Sequence, residues 1–387
     1  MRGSIVKRGA GYTYVLELGR DAATGKRRQK WVGGFRTKRE AEAALTAALG
    51  RLQAGQFADP GRTTVGEFLE HWLDSVAPTL RETTAASYRA TCVNWVIPSI
   101  GSLRLASLTP GHLTQLYASL TTNGGTGGRP LSARSVRYAH VVLGRAMKDA
   151  VEWGMLARNP VRSAHPPRVD QPVMRVWDVA QARQFIASVA GDRLEAMWVV
   201  LITTGLRRGE AAGLRWEDVD FDAGTLAVRR ALVSVGYEVK VTEPKTAKGR
   251  RSVALDDLTV RALRAHRARQ AEEALAAGDL WERTGYVFVR DDGRPLHPER
   301  IGVMFAQRVK ASGLPPIRLH DLRHTSATLA LAAGVHPKIV QERLGHASIS
   351  ITLDTYSHVV AGLQHEAAQR VADLLAVPSD PSTAPAS

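Results

Sequence analysis

The sequence predicts a multidomain protein with a small α+β region at its N-terminus, an all-α central region, and a mainly α C-terminal region that contains a small β-sheet. Residues 1–58 combine strand patterns with one helical pattern. Helical patterns alone then continue up to NPVRSAHPPRVDQPVMRV, a segment with four prolines and no helical period. Beyond this segment, helical patterns resume on both sides of a β-rich stretch.

In the N-terminal region, YTYVLEL and KRRQKWVGGF are typical of two strands of a hairpin, separated by GRDAATG. Thr37 and Glu40 have the spacing of a capping box at the start of the helix that follows. A basic strand of a small sheet can lie in the major groove of DNA, so Arg27, Arg28 and Lys30 are candidate DNA contacts. A solvated basic hairpin is the alternative.

Residues 63–160 are predicted to form a helical bundle that begins at a capping box of Thr64 and Glu67. Arg134, Arg137 and Arg145 fall near one face of its last helix, where they could follow a phosphate backbone or simply face solvent. The segment 161–176 is predicted to be a linker, and 177–376 a third domain. The tail 377–387, with the sequence VPSDPSTAPAS closing the chain, has a composition typical of disorder.

The formal net charge of +15 and the sequence pI near 10.3 indicate a polyanionic partner, with nucleic acid as the leading candidate. Residues 1 to 55 hold twelve Lys or Arg against four Asp or Glu, so this segment carries +8, more than half of the excess. The sequence therefore predicts a dedicated phosphate-binding module at the N-terminus.

The sequence lacks the patterns typical of metal-binding and membrane proteins. Cys92 is the single cysteine, which excludes an internal disulfide and a cysteine-based zinc cluster, and the histidines show no HExxH spacing. The longest apolar run, AMWVVLITTGL, is too short to cross a bilayer, and MRGSIVKRGA has no signal-peptide core. We expect no metal site and no membrane contact, and a location in the cytoplasm.

Two clusters in the third domain are candidates for a phosphate cradle and for a proton donor, respectively. In TGLRRGE, Gly205 ends one helix and Arg207 begins the next, so free N–H groups and the guanidinium could cradle a phosphate while Glu210 holds the guanidinium. A surface Arg–Glu pair is the alternative. The loop EPKTAKGRR could bring a lysine to a leaving oxygen, although its spacing does not say which lysine, and such a loop is usually only solvated.

The last motifs add two histidines, a second arginine and a tyrosine. In HDLRHTSATLA, His320 and Arg323 lie one helical turn apart, and in LGHAS, Gly345 ends a helix and leaves His346 in the turn. Tyr356 follows in LDTYSHV. If this stretch is helical, Ile349, Leu353, Tyr356 and Val360 share an apolar face, and the ordinary interpretation of Tyr356 is a core residue.

Together these residues favour phosphoryl transfer without a metal ion. The developing negative charge must be neutralised, and without an acidic cluster to hold Mg²⁺ the cations must come from Arg, Lys and His. A tyrosine among them could then be a nucleophile that forms a phosphotyrosine ester.

The ordered motifs TGLRRGE, PKT…RRSVAL, HDLRHTSAT, LGHAS and DTYSHV resemble those of the tyrosine recombinases, in particular phage and mobile-element integrases. The resemblance covers nearly all of the third domain. It is weaker in residues 63–160, which resemble the family's core-binding domain, and in residues 1–55, which resemble its three-stranded arm-binding modules.

The resemblance implies a role for each motif residue. Tyr356 would be the nucleophile that joins a 3′ phosphate and frees a 5′ hydroxyl, and Lys245 would protonate the departing oxygen. The other roles concern the phosphate and its surroundings: Arg207 and Arg323 would grip the non-bridging oxygens, His320 would accept or donate a proton, His346 would hydrogen-bond the phosphate, and Glu210 would support the site.

By the same resemblance, the chain would be a site-specific DNA recombinase that works through a Holliday junction without metal or cofactor. Its partners would be double-stranded core and arm attachment sites, three further copies of itself in a homotetramer, a host DNA-bending protein and an excisionase, and it would be associated with the nucleoid. A resolvase or topoisomerase-like enzyme with the same chemistry, and a DNA-binding regulator without catalytic activity, are the alternatives.

Overall fold

The computed structural model describes residues 3–9, 11–20, 27–53, 62–170, 175–243, 249–346, 348–350, 352–353, 368–369, 371–372 and 375. For residues 18–20, 27–28, 30, 47–48 and 50–53 it describes the backbone alone. The chain divides into two compact units, Met1–Val169 and Asp170–Ser387. The boundary between the units falls inside the segment that the sequence predicts to be a linker.

The first unit begins with the predicted sheet and helix. Its elements are β1 (Gly3–Arg8), β2 (Gly11–Arg20), β3 (Arg27–Phe35) and α1 (Lys38–Gln53). The strands form one antiparallel sheet in the order β1-β2-β3, and Tyr14, Leu16 and Leu45 make its small core against α1. The Glu40 N–H donates to Thr37 Oγ1 at 3.2 Å, and the Thr37 N–H donates back to Glu40 Oε2 at 3.3 Å. The α+β prediction for this region is confirmed.

The rest of the first unit is helical, as predicted. Its helices are α2 (Val65–Val76), α3 (Glu82–Thr91), α4 (Ile97–Ile100), α5 (Pro110–Asn123) and α6 (Ala133–Glu152). A π turn joins α3 to α4, and Thr64 and Glu67 form the predicted capping box of α2. The Trp72 indole is buried and donates to Asp149 Oδ2 at 2.7 Å, which ties α2 to α6. Val161 and Ala164, at the start of the predicted linker, are buried in this helical core.

The second unit contains helices around two small β structures. Its helices are α7 (Val179–Ser188), α8 (Glu195–Thr204), α9 (Arg208–Ala212), α10 (Asp257–Ala277), α11 (Pro298–Ser312), α12 (Leu319–Ala332) and α13 (Pro337–Leu344). Its strands are β4 (Val219–Asp220), β5 (Thr225–Val228), β6 (Ala231–Val235), β7 (Glu238–Thr242) and β8 (Arg251–Ala254). Strands β4, β5 and β8 form an antiparallel sheet, whereas β6 and β7 form a separate hairpin.

Helix α8 lies at the centre of the second unit. It is apolar on every side, as is typical of a helix that is buried all round. Trp177, Phe185, Trp198 and Phe305 pack together with ring centroids 4.9 to 6.0 Å apart. This core packs around α8, and the chain leaves the C-terminal end of that helix at Gly205 to enter the candidate site.

Candidate active site

Gly205 turns the chain from α8 into the first arginine of the site. It adopts a left-handed conformation with φ of 65°, which glycine accepts without strain. A Cβ atom at this position would lie 2.5 Å from Leu344 Cδ2, so the site also needs the small residue for packing. Two residues later, Arg207 is the N-cap of the short helix α9, as predicted.

Glu210 holds Arg207 through two hydrogen bonds. Its Oε1 accepts from Arg207 Nη1 at 2.8 Å, and its Oε2 accepts from the Arg207 backbone N–H at 2.9 Å. The pair is not the exposed surface pair of the alternative interpretation, because the Glu210 side chain is only 5% exposed. The backbone N–H of Arg207 is occupied by Glu210, so the predicted cradle of free N–H groups is wrong for this donor. The guanidinium, 43% exposed, remains the group that can meet an anion.

The Glu210 carboxylate is shared with a second arginine, Arg251. Arg251 Nη1 and Nη2 donate to the two carboxylate oxygens at 3.2 and 3.0 Å. Burial alone would raise the pKa of Glu210, but the hydrogen bonds and charges of Arg251 and Arg207 outweigh it and lower that pKa. Glu210 is therefore ionised in the folded protein near neutral pH.

Arg323 lies on α12 and is buried, with 3% of its surface exposed. Its Nη1 donates to the Gly205 carbonyl at 2.8 Å and its Nη2 to the Leu344 carbonyl at 2.6 Å. Arg323 thus joins the turn after α8 to the end of α13. It brings a permanent positive charge to the turn that also orients Arg207.

His320 lies one helical turn before Arg323, in the first turn of α12. Its side chain is exposed, yet surrounding protein atoms and the charge of Arg323 lower its pKa. His324 packs edge-on against it, with ring centroids 5.1 Å apart. Partial burial, together with the positive charge that His320 can carry, lowers the pKa of His324 to about 4. With their pKa values lowered, both imidazoles are more often neutral near pH 7 than an ordinary histidine.

His346 occupies the turn after α13, as predicted. Gly345 ends the helix in a left-handed conformation with φ of 66°, and the His346 N–H donates to the Gln341 carbonyl at 3.1 Å. The His346 Nδ1 lies 2.9 Å from Oγ1 of Thr352, a fully buried residue. Partial burial and the charges of Arg323 and Arg207 lower the pKa of His346 to about 4.

Three consecutive carbonyls at the end of α13 accept hydrogen bonds from three different arginines. The Arg343 carbonyl accepts from Arg251 Nε at 2.6 Å, the Leu344 carbonyl from Arg323 at 2.6 Å, and the Gly345 carbonyl from Arg207 Nη2 at 3.4 Å. The last carbonyls of a helix lack partners within the helix and carry the negative end of its dipole, so they suit cations. This end of α13 gathers the guanidinium groups next to His346.

Sequence reasoning missed three residues of this arrangement. Arg251 belongs to the basic loop EPKTAKGRR, for which solvation is one of the two interpretations, but its side chain is only 6% exposed. His324 and Thr352 were not singled out. The HDLRH spacing could have indicated His324, because His320 and His324 are four residues apart on one helix.

The structure describes some of the remaining predicted site residues and not others. Lys245 and Tyr356 lie outside the described residues. Near Tyr356, Thr352 is buried whereas Leu353 is 38% exposed, so Leu353 does not lie on a buried stripe. The candidate DNA contacts Arg27, Arg28 and Lys30 lie on β3, where only their backbone is described, and Arg134 and Arg137 are exposed on α6.

Within the described ranges, no group of three or more His, Cys, Asp or Glu side chains could hold a metal ion. No helix in the same part of the chain is both long and apolar enough to cross a membrane.

The guanidinium groups at the end of α13 and the neighbouring His346 imidazole have the charge and the donors that suit an anion such as a phosphodiester. Three domain families match the chain: the phage integrase family over residues 174–362, an arm DNA-binding domain over 4–51, and the N-terminal SAM-like domain of phage integrases over 64–121.

Named relatives agree with these matches. A "Tyrosine recombinase XerC-like" protein from Caldanaerobacter subterraneus is 28% identical over 94% of this chain and 96% of its own length. The "ICEBs1 integrase" of Bacillus subtilis is 30% identical over 63% of this chain and 67% of its own length. The chain belongs to the phage integrase family and is an enzyme of the tyrosine recombinase type.

Solved structures share the fold at lower identity. The Tn1549 transposon integrase in complex with a circular intermediate DNA superimposes with a TM-score of 0.65 at 21% identity, over 80% of this chain and 99% of that one. A lambda integrase tetramer bound to a Holliday junction superimposes with a TM-score of 0.56 at 19% identity, over 89% of this chain and 92% of that one. These likenesses support the fold, which is mostly helical with small antiparallel sheets.

Proposed function

We propose that the chain is a site-specific DNA recombinase of the integrase type, which cleaves and rejoins DNA through a 3′-phosphotyrosine intermediate at Tyr356. The observation that carries the proposal is the convergence of Arg207, Arg323 and His346 at the end of α13; His346 precedes Tyr356 by ten residues in the chain. The family supports the reaction class, because its relatives include a named tyrosine recombinase.

In the proposed first step, the Tyr356 hydroxyl oxygen attacks a backbone phosphorus. A P–O bond to tyrosine forms, and the bond from phosphorus to the 5′ oxygen breaks. The negative charge that builds up on the non-bridging oxygens is stabilised by Arg207 and Arg323, whose orientation is fixed before DNA arrives. Because the phosphoester bond energy is kept in the phosphotyrosine, the 5′ hydroxyl of another strand can reverse the reaction without a nucleotide cofactor.

The imidazoles and Lys245 are proposed to move and hold protons. His320, with its lowered pKa, is suited to accept the proton that leaves Tyr356, and Lys245 would donate one to the departing 5′ oxygen. His346 is neutral near pH 7. If the Thr352 hydroxyl donates to Nδ1, the other ring nitrogen carries the hydrogen that can be donated to the phosphate.

The proposed partners are double-stranded attachment sites. The matched arm DNA-binding domain and the charge of residues 1 to 55 support binding to arm sites as well as to the core site. A homotetramer on a Holliday junction is proposed by analogy with lambda integrase, and integration and excision of a mobile element by analogy with the ICEBs1 and Tn1549 integrases. A host DNA-bending protein and an excisionase would set the direction, at the nucleoid in the cytoplasm.

A nicked suicide substrate tests the proposal. The DNA should carry the core site found at the ends of the element that encodes the chain, with a nick that lets the short 5′-hydroxyl strand diffuse away after cleavage. Wild-type protein should accumulate a covalent 3′ protein–DNA product, and Tyr356→Phe should bind the same DNA without forming it. Specific binding without any covalent product from wild type would instead favour the regulator.

A further inference from the structure

Arg251 is a nearly fully buried arginine next to the proposed phosphate site, and it is not one of the predicted catalytic residues. It lies at the first position of β8, and its side chain is 6% exposed. The neighbouring Arg250 is 60% exposed and pairs with Glu243, itself 77% exposed, at 2.7 Å. Two consecutive arginines of one basic loop therefore have opposite surroundings.

The N–H groups of Arg251 are directed into the protein. Its two terminal nitrogens donate to the Glu210 carboxylate as a fork, Nε donates to the Arg343 carbonyl at 2.6 Å, and Nη1 also reaches the Gly249 carbonyl at 3.3 Å. Four of the five N–H groups of the Arg251 guanidinium are thus bonded to protein acceptors, so it has little left to offer a phosphate. Arg207, in contrast, donates to the same carboxylate but is 43% exposed.

The charges of Glu210, Arg207 and Arg251 indicate what Arg251 does. Glu210 is buried and ionised, and a single arginine beside it would form a neutral pair. With Arg251 also bonded to the carboxylate, the group of three keeps a net charge of +1, which is the charge that Arg207 can present. Because Arg251 is the more buried partner, it is the one that compensates Glu210.

We infer that Arg251 is a positioning residue that, through Glu210, keeps the guanidinium of Arg207 oriented and its positive charge available to the scissile phosphate. The bond from Arg251 to the Arg343 carbonyl extends this support to the last turn of α13, two residues before Gly345 and three before His346. Arg251 does not itself touch the phosphate. The inference rests on the proposed function, because it needs a scissile phosphate at Arg207.

The first test compares two versions of the nicked core-site duplex. In one, a methyl group replaces a non-bridging oxygen of the scissile phosphate, which removes its negative charge. With the ordinary substrate, Arg251→Met should slow single-turnover cleavage by about 10- to 100-fold, less than the roughly 100- to 1,000-fold expected for Arg207→Ala. With the methylphosphonate, where the cation has less charge to neutralise, both deficits should shrink to less than about 3-fold.

A variant that is merely misfolded would be slow on both substrates, so equal deficits on the two DNAs would overturn the inference. Arg250→Met is the matched control, since it removes a neighbouring arginine that pairs only at the surface. It should cleave like wild type once the complex with DNA is preformed. If Arg250→Met were as slow as Arg251→Met, the inference would also be overturned. The slower cleavage would then come from losing any positive charge of the loop and not from the contacts of Arg251.

A double-mutant cycle supplies the second test. In a Glu210→Gln background no buried negative charge remains to be compensated, so adding Arg251→Met should slow cleavage by less than about 3-fold further. The same 10- to 100-fold cost in both backgrounds would refute the coupling. Failure of wild type to form any covalent product would instead reject the proposed function, and the inference with it, whereas normal cleavage by Arg251→Met would reject the inference alone.

Discussion

Arg207 and Arg323 carry the same charge in different surroundings. Replacing Arg323 by Ala leaves the carbonyls of Gly205 and Leu344 without these donors in a buried site, and we expect a loss of about 1–3 kcal/mol in the free energy of unfolding. Arg207→Ala should change it by less than about 1 kcal/mol, since that side chain is 43% exposed. Both variants should slow cleavage by at least about 100-fold.

Denaturant unfolding and covalent-product formation measure the two effects separately for these arginines. Binding to core-site DNA serves as the control, because one lost phosphate contact should weaken binding far less than cleavage. A parallel loss of binding and cleavage in either variant would contradict a role at the scissile phosphate.

His346 makes stability depend on pH. Its pKa is about 4 in the folded protein against about 6.5 in an unfolded chain, so between these values the unfolded chain binds a proton that the folded one excludes. The stabilising contribution is fully present above about pH 6.5 and is lost as the pH falls towards 4. His346→Asn, which does not titrate, should lose less stability than wild type over this window.

Urea unfolding at a series of pH values between 4 and 7 measures this dependence. His324 also has a pKa of about 4 and remains in both proteins, so the difference between the two curves isolates His346. Parallel curves for wild type and variant would show that the His346 ring has an ordinary pKa.

The turn between α8 and α9 positions two arginines of the site, because it precedes Arg207 and its Gly205 carbonyl accepts from Arg323. Gly205→Ala would force a left-handed alanine and place its Cβ 2.5 Å from Leu344 Cδ2, at a cost of roughly 2–4 kcal/mol. Because the Gly205 carbonyl also holds Arg323, cleavage should fall as well. Gly302→Ala in α11, where a Cβ meets nothing within 4 Å, should leave stability unchanged or raise it by up to about 1 kcal/mol.

Thermal unfolding of the two glycine variants, with cleavage measured below the transition, checks this prediction. A Gly205→Ala protein as stable and active as Gly302→Ala would mean that the turn can rearrange freely.

Local patterns predicted the elements well, and contacts distant in sequence explain what they missed. The capping residues Thr37 and Thr64 fixed the starts of two helices because a cap acts within three residues. Nothing in GRRSV distinguishes Arg250 from Arg251, because the partner that buries Arg251 is Glu210, 41 residues earlier. The arginine contacts at the end of α13 likewise span 21 to 138 residues. Such pairings follow from tertiary packing, which spacing alone does not contain.

Across the whole chain, most of the excess positive charge lies apart from the proposed catalytic residues. Residues 1 to 55 carry +8 of the +15 net charge, and the candidate site lies wholly in the second unit. Binding to arm DNA should therefore be electrostatic and strongly salt-dependent, whereas the cleavage step should depend on the few arginines and histidines described above. Removing residues 1–58 separates the two contributions.

The shortened protein should form the covalent product on an isolated core site at a rate close to that of the full chain, because every residue of the proposed site remains. It should no longer recombine DNAs when the reaction requires their arm sites, because the proposed arm contacts on β3 are gone. A full-length protein with Arg27, Arg28 and Lys30 replaced by Ala is the control that keeps the sheet while removing three charges. It should bind arm DNA more weakly and show a shallower salt dependence, by up to about three units of slope. Recombination unaffected by the deletion would show that residues 1–58 serve another purpose.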